Sequence, residues 1–179
     1  MSKLKWIVGT TIGLTLLAGT SASATTLTQL SAEDMLAQAS DCVVANVVSS
    51  TTEKRDGQVF TLTTFNVTKT AFGSAGQTIT VESLGGRSNV GRLKTSTVVA
   101  GSPRFFVGQE SVMLLSQNAQ SDTYSIVGFN QGSFPVRRTL QGSTSVQLPQ
   151  ALGGNVSLDQ ALGTLTEQRG LPVGNQLGD

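Results

Sequence analysis

The run Cys42–Val48 constrains the fold more than any other part of the sequence, because it is rich in β-branched and apolar residues on both of its faces. A strand of this composition has no side to leave in water, so it must lie inside a closed or sandwiched sheet. We therefore expect a mainly β protein, a small five- to seven-stranded antiparallel barrel or sandwich with a short N-terminal helix and a C-terminal helix.

The next strand, Gln58–Thr68, carries its large apolar residues on opposite faces. They fall there in pairs, first Phe60 and Leu62 and then Phe65 and Val67. A bulge near Thr63-Thr64 would bring all four onto the same face and bend the strand sharply, as at the corners of small barrels. We expect that bulge.

The remaining strands are shorter and are bounded by turn residues. Asp56-Gly57 is a hairpin turn signal, Gly85-Gly86 ends a strand, and Pro135 indicates an edge position. Strands are predicted at Thr78–Leu84, Ser111–Ser116, Tyr124–Phe129 and Phe134–Arg137. Between the first two of these, residues 87–101 are predicted to be a long loop in which only Val98-Val99 is a strand.

A short helix is predicted over residues 31–40. Ser31 can cap its start and Asp34 stands at its third position, where a side chain can answer the cap. Leu30 and Met35 are spaced to pack against each other across the first turn.

After Arg138 the sequence is poor in charge and rich in glycine and glutamine. Residues 139–156 are expected to be a mobile linker. A helix is predicted at 158–169, because Ser157 and Gln160 form a capping box and Gly170 and Pro172 end it. Its apolar face can cover the barrel of its own chain or serve as an arm that binds a partner.

The first 24 residues have the organisation of a secretory signal peptide. Lys3 and Lys5 precede the apolar stretch Trp6–Gly19, and the small-residue exit Ala22-Ser23-Ala24 follows. The stretch is shorter than the about 20 residues of a membrane span, which favours cleavage after Ala24 over an uncleaved anchor. Thr20 stands where a bacterial lipoprotein has its acylated cysteine, so we expect no lipid anchor.

Cleavage would leave residues 25–138 as a β-barrel domain and 139–179 as a low-charge tail. It removes two of the 12 basic residues and none of the 11 acidic ones, so acidic side chains outnumber basic ones by one. Binding through phosphate contacts needs a basic surplus, and nucleic acid is therefore not an expected partner.

The sequence has no histidine and a single cysteine, Cys42. These counts exclude histidine-dependent triads, histidine-ligated metals, intramolecular disulfides and multi-cysteine metal sites. Cys42 stands among valines, where burial raises the pKa of a thiol, so we expect it to be structural. No cofactor or metal is expected.

Motifs in the stretch 41–136 resemble a known family. They are Phe65-x-Val67-x-Lys69-x-x-Phe72-Gly73, Ile79-Thr80-Val81, Phe105-x-Val107-Gly108-x-Glu110 and Val112-x-Leu114. This pattern resembles netrin-like domains, which include the tissue inhibitors of metalloproteinases and are barrels of the oligonucleotide/oligosaccharide-binding (OB) type. The resemblance implies an OB-like barrel.

A second set of motifs is similar to a group of small exported bacterial proteins of no established function. The motifs are Gly85-Gly86, Gly101-x-Pro103-x-Phe105-x-x-Gly108 and Tyr124-x-x-Val127-Gly128-x-x-Gln131-Gly132-x-Phe134. Turn glycines and core residues make up most of both sets, so the resemblance implies a fold rather than an activity. Metalloproteinase inhibitors of this class chelate zinc through an N-terminal cysteine, whereas cleavage here would expose Thr25.

The stretch after Gly85 is the most basic part of the barrel domain. Gly86 and Gly91 have the spacing of a phosphate-binding loop, but Arg92-Leu93 stands where that motif needs lysine and then serine or threonine. We interpret it as a surface loop whose Arg87, Arg92 and Lys94 are candidate contacts for an acidic partner.

No catalytic residue is assigned from the sequence. We expect an exported, non-catalytic binding protein, in the periplasm or outside the cell, whose partner is another exported protein such as a peptidase. The alternative is a periplasmic or secreted hydrolase that uses carboxylates. For that chemistry Glu82 and Glu110, both at strands, are the pair to test.

Mass spectrometry of the exported protein tests the signal peptide. We expect a mature N-terminus at Thr25, because the small-residue exit ends at Ala24. An exported protein whose mass still includes residues 1–24 would contradict the assignment.

Overall fold

The computed structural model describes residues 28–90 and 93–170, without the side chains of residues 88–95. The signal segment, its cleavage site after Ala24, and Arg92 lie outside the described residues.

The described chain is mainly β with two helices, as the sequence predicts. The helices are α1 (Ala32–Gln38) and α2 (Leu158–Gly170). The strands are β1 (Asp41–Arg55), β2 (Gln58–Phe72), β3 (Thr78–Leu84), β4 (Gly86–Val90), β5 (Leu93–Thr97), β6 (Glu110–Gln117), β7 (Tyr124–Ile126), β8 (Ser133–Arg138), β9 (Thr144–Gln147) and β10 (Asn155–Ser157). No helix within these ranges is long and apolar enough to cross a membrane.

The large sheet curls back on itself. Its strand order is β1-β2-β3-β7-β6-β8-β9-β10, and β6 also pairs with β1. The first five strands of this order therefore form a ring. The ring is not fully closed, because β3 and β7 meet at a single parallel pair, Val81 opposite Tyr124. All other pairings in the described sheet are antiparallel.

The first half of β1, Asp41–Val47, and strand β6 are buried on both faces. This confirms the prediction for Cys42–Val48 except at Val48, which is exposed. Alternate residues of the two strands point into the ring and pack around Phe65: Val43, Ala45, Val47, Met113 and Leu115. The residues between them point outward into a second core: Cys42, Val44, Val112 and Leu114. All nine side chains are buried. The pair β1–β6 is thus the wall shared by two cores.

The two helices cover the outer face of this wall. Met35 and Leu36 of α1 and Leu158, Ala161 and Leu165 of α2 are buried in the second core. The C-terminal helix therefore docks on its own chain, which decides between the two roles that the sequence left open.

Arg169 connects α2 to α1. Its guanidinium donates hydrogen bonds to the carbonyl oxygens of Leu36 and, at 2.5 Å, of Ala39. It also lies over the ring of Phe72, 5.2 Å from the centroid. These carbonyls end α1, so Arg169 supplies the positive charge that a helix C-terminus favours. At the other end Ser31 caps α1 as predicted, accepting a hydrogen bond from the Asp34 amide at 3.0 Å.

The mobile linker predicted at 139–156 is wrong. Strand β9 pairs with β8, and β10 pairs with β9. Val146, Leu148 and Leu152 are buried in the second core. The segment is poor in charge because it forms a pair of strands that buries its spaced apolar residues.

The bulge predicted in β2 is also wrong. The register between β2 and β3 is uninterrupted from Phe60 to Asn66. Phe65 points into the ring and Val67 packs against the same core. Phe60 and Leu62 lie on the opposite face of the strand and are only half-buried. Opposite the predicted position the extra residue is in β1, where Val48 stands between Val47 and Ser49 and is 54% exposed. β2 has its own extra residues later in the strand, Thr68 and Ala71.

The edge position predicted from Pro135 does not hold for the strand. β8 lies between β6 and β9. It pairs with β6 over Ser133–Pro135 and with β9 over Val136–Arg138. Pro135 therefore stands where β8 exchanges one neighbour for the other, and a missing amide hydrogen is tolerated where one side lacks a partner.

Replacing Phe65 by alanine tests the ring core. The side chain is fully buried and its ring meets that of Phe105 edge-on, with centroids 5.0 Å apart. We expect Phe65→Ala to lower the free energy of unfolding by about 3–5 kcal/mol through the cavity it leaves. Chemical denaturation measures the loss.

Phe106→Ala is the matched control, because this neighbouring phenylalanine is 73% exposed. It should change stability by no more than about 0.5 kcal/mol. Equal effects of the two substitutions would contradict the assignment of Phe65 to the core.

Candidate functional site

The predicted contact stretch is a β hairpin rather than a loop. Strands β4 and β5 pair antiparallel from Gly86 opposite Thr97 to Val90 opposite Leu93. Val98-Val99, predicted as the one strand here, follows the hairpin and lies outside any strand. The hairpin sequence is rich in serine and threonine and shows no apolar alternation, which is why the sequence pattern missed it.

The structure places one of the three predicted basic side chains. Arg87 is exposed and lines a groove at the mouth of the ring. Lys94 lies in β5, but its side chain is not described, and Arg92 is outside the described residues. The candidate site is therefore built from Arg87 and the groove beside it.

The groove lies between the β4–β5 hairpin, residues of β1 to β3, and the segment 98–106. Its volume is about 520 Å³, within the range of about 300–1,000 Å³ for ligand pockets, which often occupy the mouths of barrels. Hydroxyl side chains provide much of its polar lining: Ser50, Thr61, Thr63, Ser83, Ser96, Thr97 and Ser102.

Two glycines allow the hairpin to cross the mouth. Gly85 has φ +90°, and a Cβ there would lie 2.7 Å from the carbonyl oxygen of Thr97. A Cβ on Gly86 would lie 2.4 Å from the Thr61 hydroxyl. Both contacts are too close for any larger residue, so the position of the groove wall depends on this glycine pair.

The hydroxyls nearest these glycines already donate hydrogen bonds to carbonyl oxygens of the protein. Thr61 donates to the carbonyl oxygen of Gly85 at 2.7 Å, and Ser102 donates to that of Leu84 at 2.5 Å. A hydroxyl has a single proton, so these two side chains offer only oxygen lone pairs to a ligand.

Among the described residues that line the groove, two are arginines and none is acidic. Arg87 and Arg104 are exposed, and neither forms an ion pair with any described residue. Arg55 and Arg138, in contrast, are paired with glutamates elsewhere on the surface. The groove therefore presents uncompensated positive charge.

An apolar pair projects from a fixed turn at the edge of the groove. Phe106 and Val107 are 73% and 72% exposed. Their turn is closed by the Gln109 amide, which donates to the Phe106 carbonyl at 2.9 Å, and Gly108 has φ +83° at its third position. We refer to Val98, Phe106 and Val107 as the apolar rim. The preceding residue, Phe105, packs against Phe65 and anchors the segment to the ring core.

A second cavity of about 490 Å³ adjoins the groove. The two share Ser83, Leu84, Ser102 and Pro103 as lining residues. Phe129 lines the far side, 41% exposed and with φ +65°. This left-handed conformation is strained for a bulky residue.

Glu82 and Glu110, the carboxylates singled out in the sequence, are held by different arginines. Arg55 donates a hydrogen bond to Glu82, and Arg138 donates to Glu110 at 2.6 Å. The hydrogen bond with Glu82 raises the pKa of the Arg55 guanidinium. Glu82 lines the second cavity and Glu110 does not. The described contacts thus give the two carboxylates no common site.

Comparison of the chain with protein-family models, curated proteins and solved structures gave no match.

Sequence reasoning missed the apolar rim and Arg104. The motif Phe105-x-Val107-Gly108 reads as two core residues before a turn, but only Phe105 faces the core. The available signal was Gly108: a glycine turn directly after Phe105-Phe106-Val107 leaves at most one of these three side chains able to reach the barrel interior.

Cys42 is buried in the second core, as predicted. Burial, and next the nearby Asp41 carboxylate, raises the pKa of its thiol to about 12. Asp41 itself is fixed by the amides of Ser74 and Ala75, at 2.6 and 2.8 Å.

A maleimide reagent at about pH 8 should leave native Cys42 unlabelled, because the thiolate is the reactive form and is scarce below a raised pKa. The same reagent in guanidinium should label it fully, since unfolding restores the ordinary pKa. Intact-mass analysis measures both. Equal labelling rates in the two conditions would contradict the burial of the thiol.

Proposed function

We propose that this chain is an exported, non-catalytic binding protein that binds or modulates another exported protein, such as a peptidase. One observation carries the proposal. An exposed apolar rim, of which Phe106 and Val107 stand on a fixed turn, lies beside a groove that holds two arginines without ion-pair partners among the described residues.

The exposed apolar side chains are concentrated at this place. Seven large apolar residues are exposed in the described chain. Five of them line or adjoin the groove and the second cavity: Leu84, Val98, Phe106, Val107 and Phe129. Clustered apolar exposure with a polar surround is typical of protein interaction sites, and phenylalanine and arginine are both enriched there.

The geometry of the rim also favours binding. The Phe106–Gln109 turn is fixed by two hydrogen bonds, since the Phe106 amide donates back to the Gln109 side chain at 3.2 Å. A preordered loop loses little conformational entropy when a partner binds, so more of the contact energy appears as affinity.

The location follows from the first 24 residues. Their charged start, apolar stretch and small-residue exit support export by a signal peptide, to the periplasm or outside the cell, without a lipid anchor.

The netrin-like, OB-type assignment belongs to the same proposal. A ring of five strands that is left partly open is in keeping with the small OB barrel. This supports a fold, and function still has to be argued from the groove.

The alternative, a hydrolase using carboxylates, draws less support from the geometry. A general acid must hold a proton and face a second carboxylate across the substrate. Glu82 and Glu110 are each bonded to an arginine instead, on separate strands.

Site-specific photo-cross-linking tests the binding function. Benzoylphenylalanine is placed at Phe106 in the exporting cells, and at Leu140 as a matched control. Leu140 is a fully exposed apolar residue between β8 and β9, away from the groove lining. We expect one discrete adduct with an exported protein from position 106 and none from position 140, with mass spectrometry identifying the adduct.

The absence of an adduct from position 106, or the same adducts from both positions, would contradict the groove as a binding site. Glu110→Gln, which lies outside the lining of both cavities, should leave the adduct unchanged, and Glu82→Gln is tested beside it. Loss of a hydrolytic activity on these two substitutions would favour the alternative.

A further inference from the structure

The groove selects its ligand first by charge. Arg87 and Arg104 both line it, both are exposed, and no aspartate or glutamate is among its described lining residues. Glu82, which lines the second cavity, is paired with Arg55. The described chain provides neither arginine with a salt bridge. Guanidinium groups bind carboxylates in charge-assisted, often bidentate hydrogen bonds. A ligand with carboxylates would supply the ion-pair partners that these two arginines lack among the described residues.

The groove presents both kinds of hydrogen-bonding group. The hydroxyl protons of Thr61 and Ser102 are directed to carbonyl oxygens of the protein, so these two side chains offer acceptor oxygens. The arginines offer donors, and other lining hydroxyls, such as those of Ser96 and Thr97, can act as either. A peptide backbone with acidic side chains has the matching groups, since its amides donate and its carboxylates accept.

The rim favours a peptide over an acidic sugar, which could also satisfy the polar groups. The ring of Phe106 can stack on a sugar, but Val98 and Val107 make up the rest of the rim, and Leu84 lines both cavities. These three branched aliphatic side chains have no flat face for a sugar ring. They instead bury the alkyl and aromatic side chains of a polypeptide.

The second cavity extends the surface. It continues from the groove through Leu84 and Pro103 to Phe129. Phe129 holds its exposed ring there in spite of a left-handed backbone, φ +65°. Strain of this kind is retained where the surrounding structure fixes it, and it is common at binding sites. The two cavities together suit an extended segment rather than a compact ligand.

We propose that the occupant is an extended, acidic segment of the partner protein. Its carboxylates bind Arg87 and Arg104, and its apolar side chains lie on the rim and against Phe129. This inference rests on the proposed binding function and adds the chemistry of the partner to it.

Selection from a library of random peptides displayed on phage tests the inference, with the full exported chain as bait. We expect enriched peptides that combine aspartate or glutamate with large apolar residues. Each enriched peptide is then synthesised with its acids and again with asparagine or glutamine in their place. The amide form should bind at least about tenfold more weakly, and the affinity of the acidic form should fall as salt is added.

Variants locate the charge contact. Arg87→Gln and Arg104→Gln should each weaken the acidic peptide several-fold and leave the amide peptide unchanged. Arg137→Gln is the matched control, because Arg137 is exposed on β8 and does not line the groove. It should have no effect on either peptide.

The outcomes separate this inference from the binding function. Neutral or basic enriched peptides, acidic peptides indifferent to both groove arginines, or binding of oligogalacturonate in place of any peptide would overturn the acidic segment. If position 106 still gives its discrete adduct, the binding function stands without it. If that adduct is also absent, both fall.

Discussion

The rest of the structure depends on β1 and β6 being buried on both faces. Val43 and Met113 face the ring core while Val44 and Val112 face the second core, so the backbone hydrogen bonds of this strand pair lie between two dry layers. Such bonds have no water to exchange with, and buried backbone groups must keep their partners. The ring strands, the two helices and the β8–β10 extension are positioned by this wall, each through the side chains it buries against it.

The groove follows from what happens where the wall ends. Pairing between β1 and β6 stops at Asn46 opposite Glu110. Two more backbone hydrogen bonds join Val47 to Gly108 and Gln109, and after them β1 continues paired with β2. The mouth of the ring is left to be covered by the β4–β5 hairpin and by Phe105, whose ring reaches back to Phe65. An incomplete cover leaves a groove, and the residue after the anchor, Phe106, has only solvent to face. Phe106 of the apolar rim is thus exposed because its neighbour Phe105 is the side chain that anchors this segment to the ring core.

Much of the fold could be predicted from the sequence, because strong local patterns reported it. The two-faced run at Cys42–Val48, the cap at Ser31 and the box at Ser157 each correspond to contacts in the structure. The hairpin β4–β5 and the strands β9 and β10 could not, since strands rich in serine, threonine and glycine give little periodic signal and are defined by their neighbours. Of the predicted contact residues, Arg87 lines the groove, but the cavity also needs Arg104 and Phe106, which only tertiary structure brings to it.

The wall formed by β1 and β6 also sets the order in which parts of the chain can form their final contacts. β1 is joined to β2 by the two-residue turn Asp56-Gly57, so these strands can pair early. The other edge of β1 is paired only when Leu115 has been made, because Asp41 lies opposite it. The outer face of β1 is covered later still, when Leu165 of α2 is present. Because loop closure over long separations is slow, a nascent chain holds Cys42 and Val44 open to water until nearly all of its described length exists. Strand β1 can thus pair with β2 early, but its outer face is covered only once α2 has been made. We therefore expect β1 to be the described segment most in need of shielding during synthesis.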